Sequence, residues 1–298
     1  MQQTIIHIGY PKTASTWFIS HFYPKVKNAS VIYANDLTYD LTHGKEEFSI
    51  NYEKVNNDKE WLIIASHKFS GFVEGMWDGG IYRSFFLKHI KELHPEAHII
   101  VFIRNQLDFI PSLYSSYLRR GGTYKLRTIF SPHDPVDKDF FSYEFLNYPE
   151  MIRLYQENFG KDKVHFFLYE EFLEDNRMFL ENFVSKFNLD IDLDNLSSVR
   201  SNAKLRQGLA SLVRVTNHFI AQGKGPKKNL FNWPQVNKRI NKNLDDLNRF
   251  SIWGKPLARD KMLGKDLHDF ICNYFKESNN ELINSFGLDA IRKYGYPL

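Results

Sequence analysis

The chain has one cysteine, Cys272, among 298 residues, so it can form no internal disulfide and no cysteine-based metal site. Its surroundings, Asp269-Phe270-Ile271-Cys272-Asn273-Tyr274-Phe275, have amphipathic helical spacing, which makes the thiol a packing group rather than a nucleophile. No apolar stretch approaches the ~20 residues that cross a bilayer. The start, Met1-Gln2-Gln3-Thr4, lacks the basic and apolar regions of a secretory leader. Together these absences predict a cytoplasmic protein without a membrane span. The histidines show no H-E-x-x-H or other ligand spacing, so no metal is expected. Repeats, low-complexity tracts and a long basic block are also missing, and the formal charge is only +4. That balance argues against a nucleic-acid track and fits a small anionic ligand bound at one place.

What is present is a large apolar complement, 43% of residues and rich in Phe and Tyr, ample for a substantial core. Short β-branched or aromatic runs at residues 4–9, 30–33, 61–65, 99–103 and 164–168 read as buried strands. Helical patterns at 15–22, 81–93, 107–119 and 148–159 alternate with them. Alternation at this spacing predicts an α/β fold, a central parallel sheet flanked by helices. Such sheets bind ligands at the carboxyl ends of their strands. After residue 175 the pattern turns helical, at 179–187, 205–219, 236–247 and 267–286, with long loops at 121–141 and 223–229. No linker composition separates the two parts. The expectation is one domain over 1–298, with an α/β core to about 190 and a helical C-terminal cover over about 191–298.

The first strand ends in Gly9-Tyr10-Pro11-Lys12-Thr13-Ala14-Ser15-Thr16-Trp17. A strand–loop–helix corner with one lysine and three hydroxyls brings N–H donors and a cation to one point, which suits a phosphate. It is not a Walker A loop, which needs a glycine directly before the lysine. The plain alternative is a helix-capping loop with a solvated lysine. A second strand–helix junction, Ile103-Arg104-Asn105-Gln106-Leu107-Asp108-Phe109-Ile110-Pro111-Ser112, sets an arginine at a strand end about 90 residues later. Read alone, it is also compatible with a surface arginine and a capping aspartate.

The first loop resembles the 5′-phosphosulfate loop, and the second junction the 3′-phosphate signature, of sulfotransferases that use 3′-phosphoadenosine 5′-phosphosulfate (PAPS). The resemblance implies a three-layer, P-loop NTPase-like fold and PAPS as sulfuryl donor, leaving adenosine 3′,5′-bisphosphate, with no metal. It assigns Lys12 to the leaving oxygen, and Pro11, Thr13, Ala14, Ser15, Thr16 and Trp17 to the 5′-phosphate loop. Arg104 and Ser112 fall to the 3′-phosphate. Gln106 stands where the family has proline and Phe109 where a basic residue is frequent. Pro111 disfavours helical geometry at Ile110, which predicts a late helix start or a kink there.

Further resemblances are looser. Tyr169-Glu170-Glu171-Phe172-Leu173 after the fifth strand places Tyr169 near the adenine, unless it is a core tyrosine. The segment Ser197-Ser198-Val199-Arg200-Ser201-Asn202-Ala203 and the chain end Arg292-Lys293-Tyr294-Gly295-Tyr296-Pro297 are similar to bacterial members, which implies that Arg200 and Asn202 approach the nucleotide from the cover. The loop 224–228 has the basic character of one that closes on the 3′-phosphate, or is simply a solvated loop. For the general base the candidate is His67, directly after a strand, because imidazole is the side chain suited to exchanging a proton near neutral pH; Glu74 is the reserve, and a strand-capping histidine the alternative. The expected reaction is sulfuryl transfer to a hydroxyl, or less readily an amine, on a small-molecule, glycan, lipid or carrier-bound acceptor. The competing readings are a P-loop-type kinase and a non-catalytic nucleotide-binding module.

Overall fold

The computed structural model describes residues 2–40, 47–71, 80–133, 141–196, 205–219, 227–231, 235 and 243–298. The chain divides into two compact units. The first comprises Met1–Glu74, Gly79–Arg104 and Asn147–Val199; the second comprises Gly75–Asp78, Asn105–Leu146 and Arg200–Leu298.

The first unit is built on a parallel sheet of β1 (Gln3–Ile8), β2 (Ala29–Tyr33), β5 (Trp61–Ser66), β6 (His98–Ile103) and β7 (Val164–Leu168), in the order β2-β5-β1-β6-β7. All four pairings are parallel, with Ile5 opposite both Ile63 and His98. β1 lies between β5 and β6, which explains its apolar run Ile5-Ile6-His7-Ile8: a central strand is buried on both faces. The five strands fall where the sequence places them, within a residue or so at each end. A separate antiparallel hairpin of β3 (Leu37–Asp40) and β4 (Glu47–Ile50) was not anticipated.

Alternate residues serve two cores. One face sets Ile5, Ile63, Ala65, Ile100 and Phe102 against Phe18, Phe22 and Tyr23, and against Phe172, Phe179, Phe183 and Phe187. These come from the π-turn Phe18–Phe22 that continues α1 (Ser15–Trp17), from the 3₁₀ turn Tyr23–Lys25 after it, from α6 (Tyr169–Glu174) and from α7 (Asn176–Phe187). Asp175 caps α7 by accepting the Met178 N–H at 3.0 Å. The opposite face carries buried Ile6, Ile8, Leu62, Ile64, Ile99 and Val101, with α5 (Tyr148–Phe159) on β6 and β7 and α2 (Arg83–Leu93) beside it. This is an α/β sandwich of three layers.

The second unit is helical among its described residues. It contains α3 (Gln106–Arg119), α4 (Leu126–Ile129), α8 (Gln207–Thr216) and α9 (Arg259–Phe286). α3 packs on α8 and α9. α3 begins at Gln106, one residue before the expected 107, so of the late start or kink that Pro111 predicts the late start does not occur. Asn105 overrides the proline by capping the helix, its side-chain oxygen accepting the Leu107 N–H at 2.9 Å. α9 starts eight residues before the expected 267 and is interrupted at Gly264, where φ is +68°. With ψ at 173° this is a backbone conformation that side-chain-bearing residues rarely adopt, so the position favours glycine.

Candidate functional site

The carboxyl ends of β1, β5 and β6 meet around Gly9 and the loop after it. A Cβ on Gly9 would sit 2.6 Å from Ser15 Oγ and 3.1 Å from His67 Cα. Glycine therefore lets the end of β1, the start of α1 and the turn after β5 touch. The loop then bends sharply. Lys12 (φ 69°) and Ala14 (φ 64°) are left-handed, and Thr13 between them is not. Left-handed non-glycine residues cost about 1 kcal/mol or more each, so the neighbouring contacts must hold them. Thr13 Oγ1 donates to the Tyr10 carbonyl at 2.7 Å and Ser15 Oγ to the same oxygen at 3.2 Å. Both hydroxyls are buried and pin the loop to itself. Alternating handedness turns successive N–H groups toward one concavity. The N–H groups of Thr13, Ala14, Ser15 and Thr16 are taken up by no oxygen among the described residues.

Arg104, at the end of β6, reaches this loop. Its Nη1 donates to the Lys12 carbonyl at 2.9 Å, and its guanidinium lies 4.6 Å above the Tyr169 ring. Its Nε is buried with no acceptor among the described residues. The Arg104 backbone is gripped by Tyr148, whose hydroxyl donates to the Arg104 carbonyl at 2.6 Å. Burial pushes the Tyr148 phenol well above its ordinary range, so it stays a donor. Below the loop Tyr10 is fully buried, and Arg83 Nη2 donates to its hydroxyl at 2.9 Å. Arg83 Nε also donates to the Ser70 carbonyl at 3.3 Å. Burial raises the Tyr10 phenol against the pull of the Arg83 charge. Tyr10, Arg83 and Tyr148 are the residues sequence reasoning missed. Tyr10 sits inside the motif, but nothing in the order of residues pairs Arg83 with it across 73 positions.

His67 begins a 3₁₀ turn, His67–Ser70, directly after β5. Ser66 caps the turn by accepting the Lys68 N–H at 3.2 Å. His67 is half-buried and its backbone abuts Gly9. Lys68 is turned to Tyr39, its Nζ 4.6 Å from the ring centroid. The other expected loop residues divide. Pro11 and Lys12 are half-buried and Thr16 is exposed. Trp17 packs against Phe172, with ring centroids 5.2 Å apart, and against Phe18 at 5.3 Å. Tyr169 is half-buried beneath Arg104. The geometry thus unites Gly9, Lys12, His67, Arg104 and Tyr169 within the first unit. Glu74, Arg200, Asn202 and residues 224–226 of the basic loop lie outside the described residues.

Ser112 belongs to the second unit, half-buried on α3. There the two departures from the family pattern have local reasons. Gln106 is fully buried and exchanges hydrogen bonds with Asn279: Gln106 Nε2 donates to Asn279 Oδ1 at 2.9 Å, and Asn279 Nδ2 donates back at 3.2 Å. Asn279 also donates to the Pro297 carbonyl at 2.9 Å, and Asn105 Nδ2 to the Tyr294 and Gly295 carbonyls at 2.9 and 2.8 Å. The chain end is thereby bolted to the start of α3. Phe109 is buried against Phe145, so an apolar side chain replaces a charge there. Lys228 N–H donates to Thr123 Oγ1 at 2.8 Å, and its Nζ lies 5.9 Å from the Tyr124 ring.

No family model and no curated protein matches the chain. Among solved structures it is similar to a sulfotransferase from Alicyclobacillus acidocaldarius, with 12% identity and a TM-score of 0.47, over 86% of this chain and 100% of that one. It is also similar to mouse sulfotransferase SULT7A1 complexed with PAP, again with 12% identity and a TM-score of 0.47, over 98% of this chain and 88% of that one.

Proposed function

We propose that the chain is a sulfotransferase that moves the sulfuryl group of PAPS to a hydroxyl acceptor by in-line displacement. The reading rests on the two resembling motifs and on one observation above all. Arg104 is held on the Lys12 carbonyl with a buried Nε that has no partner among the described residues, beside the N–H groups of residues 13–16, which find no acceptor there either. Buried donors left unpaired are costly, and a phosphorylated ligand supplies oxygens for both sets. The residues present therefore fit a doubly phosphorylated nucleotide.

PAPS supplies an activated sulfuryl group on a phosphate that leaves as a stable anion. In this reading the loop N–H groups hold the 5′-phosphate. Lys12 places its charge on the leaving oxygen, where negative charge grows as the sulfur–oxygen bond breaks. Arg104 reads the 3′-phosphate by charge-assisted hydrogen bonds. The base is His67: it takes the proton released as the acceptor oxygen bonds to sulfur. Tyr148 and Arg83 touch no ligand in this scheme. Tyr148 positions the Arg104 peptide, and Arg83 ties the loop to the His67–Ser70 turn. The test is transfer of label from radiolabelled PAPS across panels of phenol, sugar, lipid and carrier-bound hydroxyl acceptors. Label moving to one acceptor class, and not to that class with Lys12→Ala, is the expected result. A chain that binds adenosine 3′,5′-bisphosphate yet never transfers label is a binding module.

A further inference from the structure

The charge of the chain is unevenly laid out. Between Asp194 and Asp245 lie 50 residues with ten Lys/Arg and no Asp/Glu. That leaves 29 of the 39 cations to the rest of the chain against all 35 acids, so this segment is +10 and the remainder −6. The cations are dispersed rather than grouped, which is why no basic block stands out. Among described residues after the segment, Asp245 and Asp246 are already ion-paired, with Arg119 at 2.6 Å and Arg249 at 3.6 Å.

Of these ten cations, Arg206, Arg214, Lys227 and Lys228 lie among the described residues of the second unit, which exposes large apolar side chains along α8. The helix buries Leu209, Ala210 and Val213 and turns Leu212 and Val215 outward. Outward Gly208 lies one turn before Leu212, and a Cβ on it would be 3.1 Å from the Trp253 carbonyl oxygen. That contact brings the segment with Phe250 (60% exposed) and Ile252 (86% exposed) to the start of the helix. Beyond the other end, Leu230 (66%) donates its N–H to the His218 carbonyl, and Phe231 (60%) stacks on Phe219 at 6.2 Å. Spacing of 208, 212 and 215 keeps these points on one side of α8, and Phe219 follows in the 3₁₀ turn Asn217–Phe219. Exposed Lys228, Arg249 and Lys255 flank them.

We propose that this α8 face docks on an anionic lipid surface, with the apolar side chains entering the headgroup layer and the described cations, Lys228 and Lys255 first, meeting headgroup phosphates and carboxylates. Side chains this exposed project rather than line a cup, and a bilayer accepts projecting residues without a matching shape. A second copy of the chain would bring the same excess of positive charge to the contact. A bare polyanion would use the cations and leave Leu230, Phe231 and Ile252 in water. No helix among the described residues is long and apolar enough to cross a membrane, so the contact is peripheral. The proposal does not depend on the nucleotide reading.

The test is co-sedimentation of the full chain with phosphatidylcholine vesicles, with and without about 30 mol% phosphatidylserine. We expect partitioning at least about tenfold higher on the anionic vesicles, lost as NaCl rises toward about 0.5 M. The double variant Phe231→Ser/Ile252→Ser should lower it by about tenfold or more with Tm unchanged. Three results would overturn the proposal. One is equal partitioning on neutral and anionic vesicles, or none on either. The second is anionic binding that survives both serines, which marks a site read by charge alone. The third is a dimer in light scattering that the serine variant abolishes. Should the double variant lower Tm, the single variant Ile252→Ser at the most exposed position replaces it, with a fall of about threefold or more expected and undiminished binding overturning the proposal.

Discussion

His7 is the sharpest test of how the sheet is packed beneath the loop at residues 9–17. It lies on central strand β1, 1% exposed, among Phe18, Tyr23 and Phe102. Its Nδ1 is 2.7 Å from the Tyr23 hydroxyl, and its Nε2 has no partner among the described residues. Burial pushes the imidazole down from 6.5 to about 3, because a cation there has no counter-charge. The unfolded chain therefore binds a proton that the folded chain refuses between those two values. The stabilisation from keeping His7 neutral is complete above 6.5 and is lost progressively as pH falls toward 3. With those two values the fold should lose about 2 kcal/mol between pH 7 and pH 5 from this residue alone. The assay is urea unfolding at both pH values for the native chain and for His7→Asn, which cannot titrate. Acid-sensitive His98 and His165, both lowered chiefly by burial, are common to the two proteins and cancel. The native chain should lose about 2 kcal/mol more than the variant over this interval. Parallel losses, within about 0.5 kcal/mol, would refute the burial of a neutral imidazole.

Three further outcomes follow from the site. Ala14 is left-handed, so Ala14→Gly should leave stability unchanged or raise it by up to about 1 kcal/mol. Ala210→Gly inside α8 should instead cost about 1 kcal/mol, both read by urea unfolding. Gln106→Leu takes the donor from buried Asn279 Oδ1 and should cost about 1–3 kcal/mol. Adding Asn279→Leu should cost less than the sum of the singles, and additivity would show that the two amides do not pair. Lys12→Ala should lower kcat far more than it weakens nucleotide binding, since its charge is needed most in the transition state. Steady-state kinetics beside calorimetry separates the two effects.

The five strands were legible because each is a short run of β-branched and aromatic residues, and a strand buried on both faces announces itself that way. The β3–β4 hairpin was not. Leu37-Thr38-Tyr39-Asp40 and Glu47-Phe48-Ser49-Ile50 are four residues long and half polar, too short to reveal a period. The start of α3 was legible to within a residue from its helical pattern, and the Asn105 cap holds it there despite Pro111. Within the site, the loop and the strand-end arginine could be named from residue types in order. Their meeting could not, because Arg104 binds the carbonyl of Lys12, and a backbone acceptor carries no sequence signal. The reason for Gln106 was hidden likewise, since its partner lies 173 residues away.

The central claim is that Arg104, seated on the lysine loop, recognises a 3′-phosphate. Calorimetric titration of the native chain and of Arg104→Ala with adenosine 3′,5′-bisphosphate and with adenosine 5′-phosphate tests it directly. The account predicts that the native chain prefers the bisphosphate by about tenfold or more, and that the substitution removes most of that preference while sparing the monophosphate. An equal loss for both nucleotides, or no preference in the native chain, would contradict it.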